Sequence, residues 1–260
     1  GTGRSTANVG MVYFSTDQFL NHSAVNPAFS LFYSMQKAED FSSECNFFPE
    51  AKRAEIFSSL GYGLTGAPAD TLLAVRRPNV LVVIMEGMGA PFVGCLGGRP
   101  GTTPHIDRLA REGVLFTRCY ANSFRTDRGT VCTLSGYPSF PTTSVMKLPG
   151  KSRTLPSIAR TLRGAGYATE FLYGGDINFT NMQSYFLSTG YERTHGDTEF
   201  TAEERRTHGW GVTDRITFDR LFDMLTRRTD PRPWHVGFLT LASHEPWKVP
   251  YNRIPDDERA

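Results

Sequence analysis

The chain has 260 residues, of which 39% are hydrophobic, and a formal net charge of +2. That length can bury one sizeable core, and a near-neutral balance with no Lys/Arg run interleaved with aromatics points away from nucleic acid. No apolar run approaches the ~18 residues needed to cross a bilayer, and the amino end, with no initiating Met or signal peptide ahead of Gly1, reads as cut.

Residues 1–75 differ in composition from the rest of the chain, with Phe, Ser and Asn frequent, as in Tyr13-Phe14-Ser15 and Phe19-Leu20-Asn21-His22. They read as an arm of two or three short helices packed against a main domain. One helix is predicted to start at Pro27, with Phe29, Phe32 and Tyr33 on one side, and another to cover Ala54–Leu60. The stretch from Gly61 to Pro68, with Gly63 and Gly66, reads as a linker. The main domain, 76–260, opens with Asn79 and the apolar run Val80–Met85, which reads as a central strand buried on both faces. Thr102–Gly113 reads as a short helix. Thr103 can cap it, Pro104 suits its first turn, Ile106, Leu109 and Ala110 form a buried stripe, and Gly113 ends it. Val114-Leu115-Phe116 is predicted as a strand, and the polar turn Ala121–Thr130 opens into a helix running to Gly136. Thr154–Arg163 is a predicted helix, Tyr167–Tyr173 a strand, and Thr213 or Asp214 caps a helix to about Arg227 with Phe218, Leu221, Phe222 and Leu225 at helical spacing. His235–Leu241 is the last predicted strand. This alternation calls for an α/β fold, a mainly parallel sheet with helices on both faces.

Three residues carry chemistry at the strand ends. Glu86 directly follows the first strand, at the edge where open α/β sheets place their ligands. A carboxylate there is costly unless it is paired, metal-bound or capping the next turn. Thr126 falls near a helix N-terminus, where unpaired N–H groups and the helix dipole favour an oxyanion or a deprotonated hydroxyl; the alternative is an ordinary helix cap. His244 lies just past the His235–Leu241 strand, and its alternative is a hydrogen-bonded structural histidine. His105 reads as helix surface, while His22, His195, His208 and His235 have no ligand spacing.

Together, a strand followed by Glu86-Gly87, then Thr103-Pro104-His105-Ile106-Asp107-Arg108-Leu109, then Thr126 before a helix, resemble the sulfatase-like division of the alkaline phosphatase superfamily. Within it, Phe124-Arg125-Thr126-Asp127-Arg128-Gly129 resembles the lipoteichoic acid synthase group of membrane-anchored phosphoglycerol transferases. Thr240–Trp247 is similar to that group's Ser-His-x-Pro segment. The resemblance runs from about Arg76 to Trp247. It implies an alkaline phosphatase/sulfatase-like fold, Thr126 as a nucleophile bound to a divalent cation, Glu86 as a ligand of that cation, and His244 touching the substrate or leaving group. Manganese is the cation the resemblance favours, with magnesium and zinc as alternatives. A Thr hydroxyl is almost never ionised at neutral pH, so coordination would supply its activation.

The same resemblance implies transfer of a phosphoglycerol-type group from a lipid head group to a glycan or lipid acceptor, through a covalent phospho-Thr126. It implies an extracytoplasmic domain whose arm, 1–75, joins it to membrane helices. The alternatives are a phosphate or sulfate ester hydrolase using the same Thr, and a non-catalytic module that binds a glycan or lipid head group. Formylglycine sulfatases modify Cys or Ser in Cys/Ser-x-Pro-x-Arg, and no such motif occurs here.

Two departures from the family pattern matter. The segment Tyr173–Met182 matches a family loop that, in Gram-positive synthases, carries a Trp and an Arg on the glycerol phosphate; Thr180 and Met182 stand there instead. A Met cannot make a bidentate phosphate contact, which leaves Arg125 or Arg128 to serve. Asp176, Asn178 and Asn181 are candidate polar contacts, each equally explained as a turn residue. The family also completes its metal site with an Asp-His pair on a later strand, and no Asp-His dipeptide occurs here. With only Glu86 and Thr126 as ligands, and a polar end at Ile254–Ala260, the expectation is a truncated enzyme, nearly inactive as it stands. The four cysteines, Cys45, Cys95, Cys119 and Cys132, lack any CxxC spacing and read as buried free thiols, or as disulfides outside the cytoplasm.

Overall fold

In the computed structural model the described residues are 8–15, 17–36, 46–60 and 73–245. The expected Gly61–Pro68 linker, Cys45, Pro246, Trp247 and the Ile254–Ala260 end lie outside them. Four stretches pair into one wholly parallel sheet: β1 (Val80–Ile84), β2 (Ala168–Tyr173), β3 (Arg193–His195) and β4 (Trp234–Leu239), in the order β1-β4-β2-β3. β4 sits between β1 and β2, with Val80 opposite His235 and Ala168 opposite Trp234.

The helices are α1 (Gln18–Ala24), α2 (Pro27–Gln36), α3 (Glu50–Ser59), α4 (Pro104–Glu112), α5 (Thr126–Ser135), α6 (Pro149–Ser152), α7 (Ile158–Gly164), α8 (Met182–Ser188) and α9 (Asp214–Thr226). The chain forms two compact units, one of the residues up to Val25 with those from Asn79 on, the other of Asn26–Pro78. In the second unit, α2 starts at Pro27 as its sequence predicts, and the Phe29 and Tyr33 rings stack 5.6 Å apart.

In the sheet unit, period-two alternation sends successive side chains to opposite faces and builds two cores. Phe171 and Tyr173 of β2 and Leu239 of β4 join Val131, Leu134, Ala159, Tyr185 and Phe186 from α5, α7 and α8. Leu172, Val236 and Phe238 face the other way, against Leu221 of α9, Val212 and Phe200. This is the expected α/β arrangement. An N-terminal strap, turned once at Val9–Val12, is tied to it: Gln183 donates to the Tyr13 carbonyl (2.9 Å) and Asn8 to the Asn178 carbonyl (3.0 Å).

Several sequence expectations need correction. β1 is an edge strand of the described sheet and is half open, with Leu81 and Val83 exposed at 41% and 37%. Its apolar run therefore signals one covered face and one that no described element covers. The α4 stripe of Ile106, Leu109 and Ala110 is not buried, and Leu109 is 61% exposed. Val114-Leu115-Phe116 is not a strand; three apolar residues with no pairing partner stay exposed. The helix expected from Thr154 begins at Ile158, because the Ser157 hydroxyl accepts from the Arg160 N–H and sets the start there. On α9, Leu221 is buried but Phe218 and Phe222 are exposed. Cys95, Cys119 and Cys132 are free thiols, and Cys119 is exposed rather than buried.

The β3 edge holds a charge cluster that sequence spacing missed. His195 is 14% exposed and offers one ring nitrogen to Glu170 (3.0 Å) and the other to Glu199 (2.8 Å); Arg228 pairs with Glu170 and Arg220 with Glu199. Burial disfavours the imidazolium, but the hydrogen bonds to the two carboxylates outweigh it and push His195 from 6.5 up to about 9. A pKa raised in the folded state gives stability that is full below 6.5 and is lost as the pH climbs through about 9. Thermal unfolding across that window is expected to show the melting temperature falling towards pH 9, and His195→Gln to flatten the fall. An equal fall in both proteins would rule the cluster out as its cause.

Candidate active site

β1 delivers Glu86 because the strand ends at Ile84 and the chain turns through Gly87, whose φ of 63° lies in the left-handed region. The turn abuts the segment after β4 so closely that a Cβ at Gly87 would meet the Ser243 carbonyl oxygen at 2.5 Å. Two bonds clasp these ends: Thr240 N–H donates to the Ile84 carbonyl (3.0 Å), and Glu86 N–H donates to the Thr240 hydroxyl (2.9 Å). Thr126 is the first residue of α5, behind an extended Arg125 at the N-cap that makes no side-chain cap bond. The Thr126 hydroxyl lies 3.1 and 3.0 Å from the two Glu86 carboxylate oxygens, and donates to them. It thus serves the carboxylate, 40 residues away in sequence, rather than capping its own helix.

The rest of the edge is built around β2 and α9. Buried Tyr173, at the end of β2, is raised far above its usual value by burial and then by the charges of Glu86, Asp176, Asp197 and Asp214, so the phenol stays protonated. Asp214, first residue of α9, accepts from the Leu241 N–H (2.6 Å) and the Ala242 N–H (3.0 Å). Its pKa is raised by burial and held back by those two bonds. Buried Asp127 receives Lys147 at 3.4 Å behind Thr126. Tyr173, Asp214, Asp127 and Lys147 were not legible as site residues, since tertiary contacts alone bring them here.

The sequence candidates fare differently. Glu86 and Thr126 meet. His244 lies on the same edge, in the segment whose Thr240 holds Glu86; its Nδ1–H donates to the Glu245 carbonyl (2.7 Å). Asp176 shares Tyr173 with Glu86, and its carboxylate accepts from the Asn178 N–H (2.9 Å). Arg125 is exposed. Arg128 turns its guanidinium to the Pro141 and Thr142 carbonyls (2.7 and 2.6 Å), and buried Asn181 donates to the Lys147 carbonyl (3.3 Å). Met182 is wholly buried and the Thr180 hydroxyl points to Met146, so neither offers a phosphate contact.

The Glu86 and Thr126 oxygens are hard donors of the kind a divalent cation takes. Among the described residues no group of three His, Cys, Asp or Glu converges as cation ligands. Two side chains supply fewer oxygens than such a cation takes, so a cation held there would need further ligands.

Known proteins share this arrangement of strands and helices. A protein-family model described as Sulfatase matches residues 78–259. The N-acetylglucosamine-6-O-sulfatase of Bacteroides thetaiotaomicron is 25% identical over 181 residues, covering 66% of this chain and 32% of that protein. A solved protein in the alkaline phosphatase superfamily from Vibrio parahaemolyticus superposes with a TM-score of 0.69 at 28% identity, covering 82% of this chain and 54% of its own. The lipoteichoic acid synthase LtaP from Listeria monocytogenes superposes at 0.66 with 16% identity, covering 78% and 51%, a likeness of fold alone. The chain spans about a third of the curated relative's length and about half of each solved chain.

Asp214 gives the site's positioning a direct test. Asp214→Asn replaces one acceptor with a donor facing an N–H. Amide exchange at Leu241 and Ala242 is expected to speed roughly tenfold or more, in line with the ~1–3 kcal/mol of an unmet buried polar group. Unchanged exchange at both amides would show that Asp214 does not hold the segment.

Proposed function

Because the chain belongs to the sulfatase family, we propose that it carries the nucleophile of a group-transfer site, with Thr126 attacking the phosphorus of a phosphodiester. The observation that supports this most is the Thr126 hydroxyl set 3.0–3.1 Å from both oxygens of Glu86. A hydroxyl that donates to a carboxylate is held with its lone pairs outward and its proton already directed to an acceptor. In the first step the Thr126 hydroxyl gives its proton to Glu86 as the Oγ1–P bond forms and the P–O bond to the leaving group breaks; that proton then passes to the leaving oxygen, which His244 on the same edge would contact. In the second step an acceptor hydroxyl gives its proton to Glu86 and bonds to phosphorus as the Oγ1–P bond breaks, and the proton returns to the Thr126 oxygen.

The start of α5 aids the first step, since its dipole favours negative charge at Thr126. Arg125, exposed at that start, is the candidate to meet the phosphoryl oxygens, while Arg128 and Asn181 support the loops that they already bind. A divalent cation bound at Glu86 and Thr126, manganese by resemblance and magnesium or zinc by donor type, would neutralise charge on the transferred group. We take the donor to be a lipid carrying a phosphoglycerol-type or related phospho head group, the acceptor to be a glycan or lipid, and the setting to be extracytoplasmic. No described helix is long and apolar enough to cross a membrane. Hydrolysis of a phosphate or sulfate ester through the same Thr is the second reading, favoured by the sulfatase named among the relatives.

The test is a covalent adduct. Extended past Ala260 to the length of its relatives and incubated with manganese and a phosphatidylglycerol analogue, the protein is expected to gain a phosphoglycerol mass on the Thr126 peptide. Thr126→Ala should carry none and lose roughly a thousandfold or more of diacylglycerol release. Release at equal rates from both proteins would refute Thr126 as the nucleophile. Turnover of a sulfate ester without any phospho adduct would favour the hydrolase.

A further inference from the structure

An aromatic wall stands on the same edge as Glu86 and Thr126, and neither transfer step uses its two large rings, Phe179 and Trp210. Phe179 comes from the segment after β2, Trp210 from the turn before α9, and His244 from the segment after β4. The Phe179 and Trp210 ring centroids are 6.0 Å apart, and those of Trp210 and His244 are 5.0 Å apart. Trp210 is 46% exposed and Phe179 42%. Large rings are normally covered when they serve only packing, so the way these two are held matters.

Every polar tie of Trp210 fixes the ring without covering it. Its indole N–H donates to the Glu245 carbonyl (2.9 Å), the same oxygen that accepts from His244, and its backbone N–H donates to buried His208 (3.2 Å). Burial lowers the His208 pKa, which keeps that ring neutral and able to accept. Next to Trp210, Gly211 has a φ of 144° and bridges to Gly175, too close to the Gly174 carbonyl for any side chain. Phe179 is followed by Thr180 and Asn181 at φ of 54° and 67°, a left-handed pair of non-glycine residues. Such conformations persist only where the surroundings enforce them, and they cluster at binding sites. Here the enforcers are the strap residue Asn8 on the Asn178 carbonyl, the Asp176 carboxylate on the Asn178 N–H, and buried Met182.

We propose that Trp210 and Phe179 form a subsite for a pyranose ring, which makes the acceptor in the reaction a glycan. The inference rests on the reading of this edge as a transfer site and selects among its acceptors. Two chemical features point to a sugar. A pyranose has an apolar C–H face that lies on an aromatic face, and a rim of hydroxyls that seeks polar partners. The wall has polar neighbours for such a rim: Phe179 donates its N–H to the Asp176 carbonyl (2.9 Å), and the His244 ring lies against Trp210. Asp197 stands near Asp176, and its pKa is raised by burial and then by that neighbour. Carboxylates accept from hydroxyls, and they would leave an alkyl chain against charge.

The experiment uses the indole N–H of Trp210 as its own reporter. A ¹H–¹⁵N spectrum has one indole signal per tryptophan, and loss in Trp210→Phe assigns it. Titration with cellobiose and with N,N′-diacetylchitobiose is expected to shift that signal saturably. By isothermal titration calorimetry, Trp210→Ala and Phe179→Ala should weaken disaccharide binding at least tenfold, and Trp210→Phe, which keeps a ring, should weaken it less. Thr126→Ala should bind the disaccharides normally, so a failed adduct experiment would leave this result standing and a failed titration would leave the adduct standing. A shift with glycerol 1-phosphate but with neither sugar would overturn the proposal in favour of a head-group subsite. No shift with any of the three would also overturn it, as would equal sugar binding by folded Trp210→Ala.

Discussion

The site depends on one clasp between strand ends. β1 reaches the rest of the described sheet only through β4, and the last link in that pairing is made by Thr240: its N–H takes the Ile84 carbonyl and its hydroxyl takes the Glu86 N–H. That places the Glu86 carboxylate against the first turn of α5. Asp214 secures the same segment from the other side by taking the next two amides. Rigid placement matters because a nucleophile displaced by about 1 Å can lose a hundredfold in rate.

The core explains why this edge can hold so much charge. Phe171 and Leu172 alternate into two separate apolar layers, so β2 and β4 are covered on both faces and their ends emerge with little freedom. Tyr173 is the last residue of that alternation, and the charges of Glu86, Asp176, Asp197 and Asp214 raise its pKa beyond what burial alone does. The acid-rich edge is therefore anchored in the middle of the core, while its aromatic wall lies further out on the connecting segments.

Much of this was legible in the sequence, where the signal was local. The apolar run before Glu86, the polar turn before Thr126 and the His235–Leu241 run place three chemistry-bearing residues at one edge, and the folded chain brings two of them into contact. What failed was non-local. An apolar run cannot say which of its faces will be covered, so β1 was expected to be central and is an edge strand with one face open. β3 is three residues long and polar, and pairing alone defines it. His195 had no ligand spacing because its two carboxylate partners come from β2 and from the turn after β3. Trp210 carried one faint signal, the glycines on either side of it.

Glu86 and Thr126 are held to act as one unit, which a double-mutant cycle measures directly. Glu86→Gln, Thr126→Val and the double variant would be compared for manganese-dependent turnover of a phosphatidylglycerol analogue. If the contact is the working element, the double variant will be no slower than the slower single variant, within about threefold, as residues of one catalytic unit are grossly non-additive. Losses that multiply would mean the two side chains act independently, and would contradict the central claim.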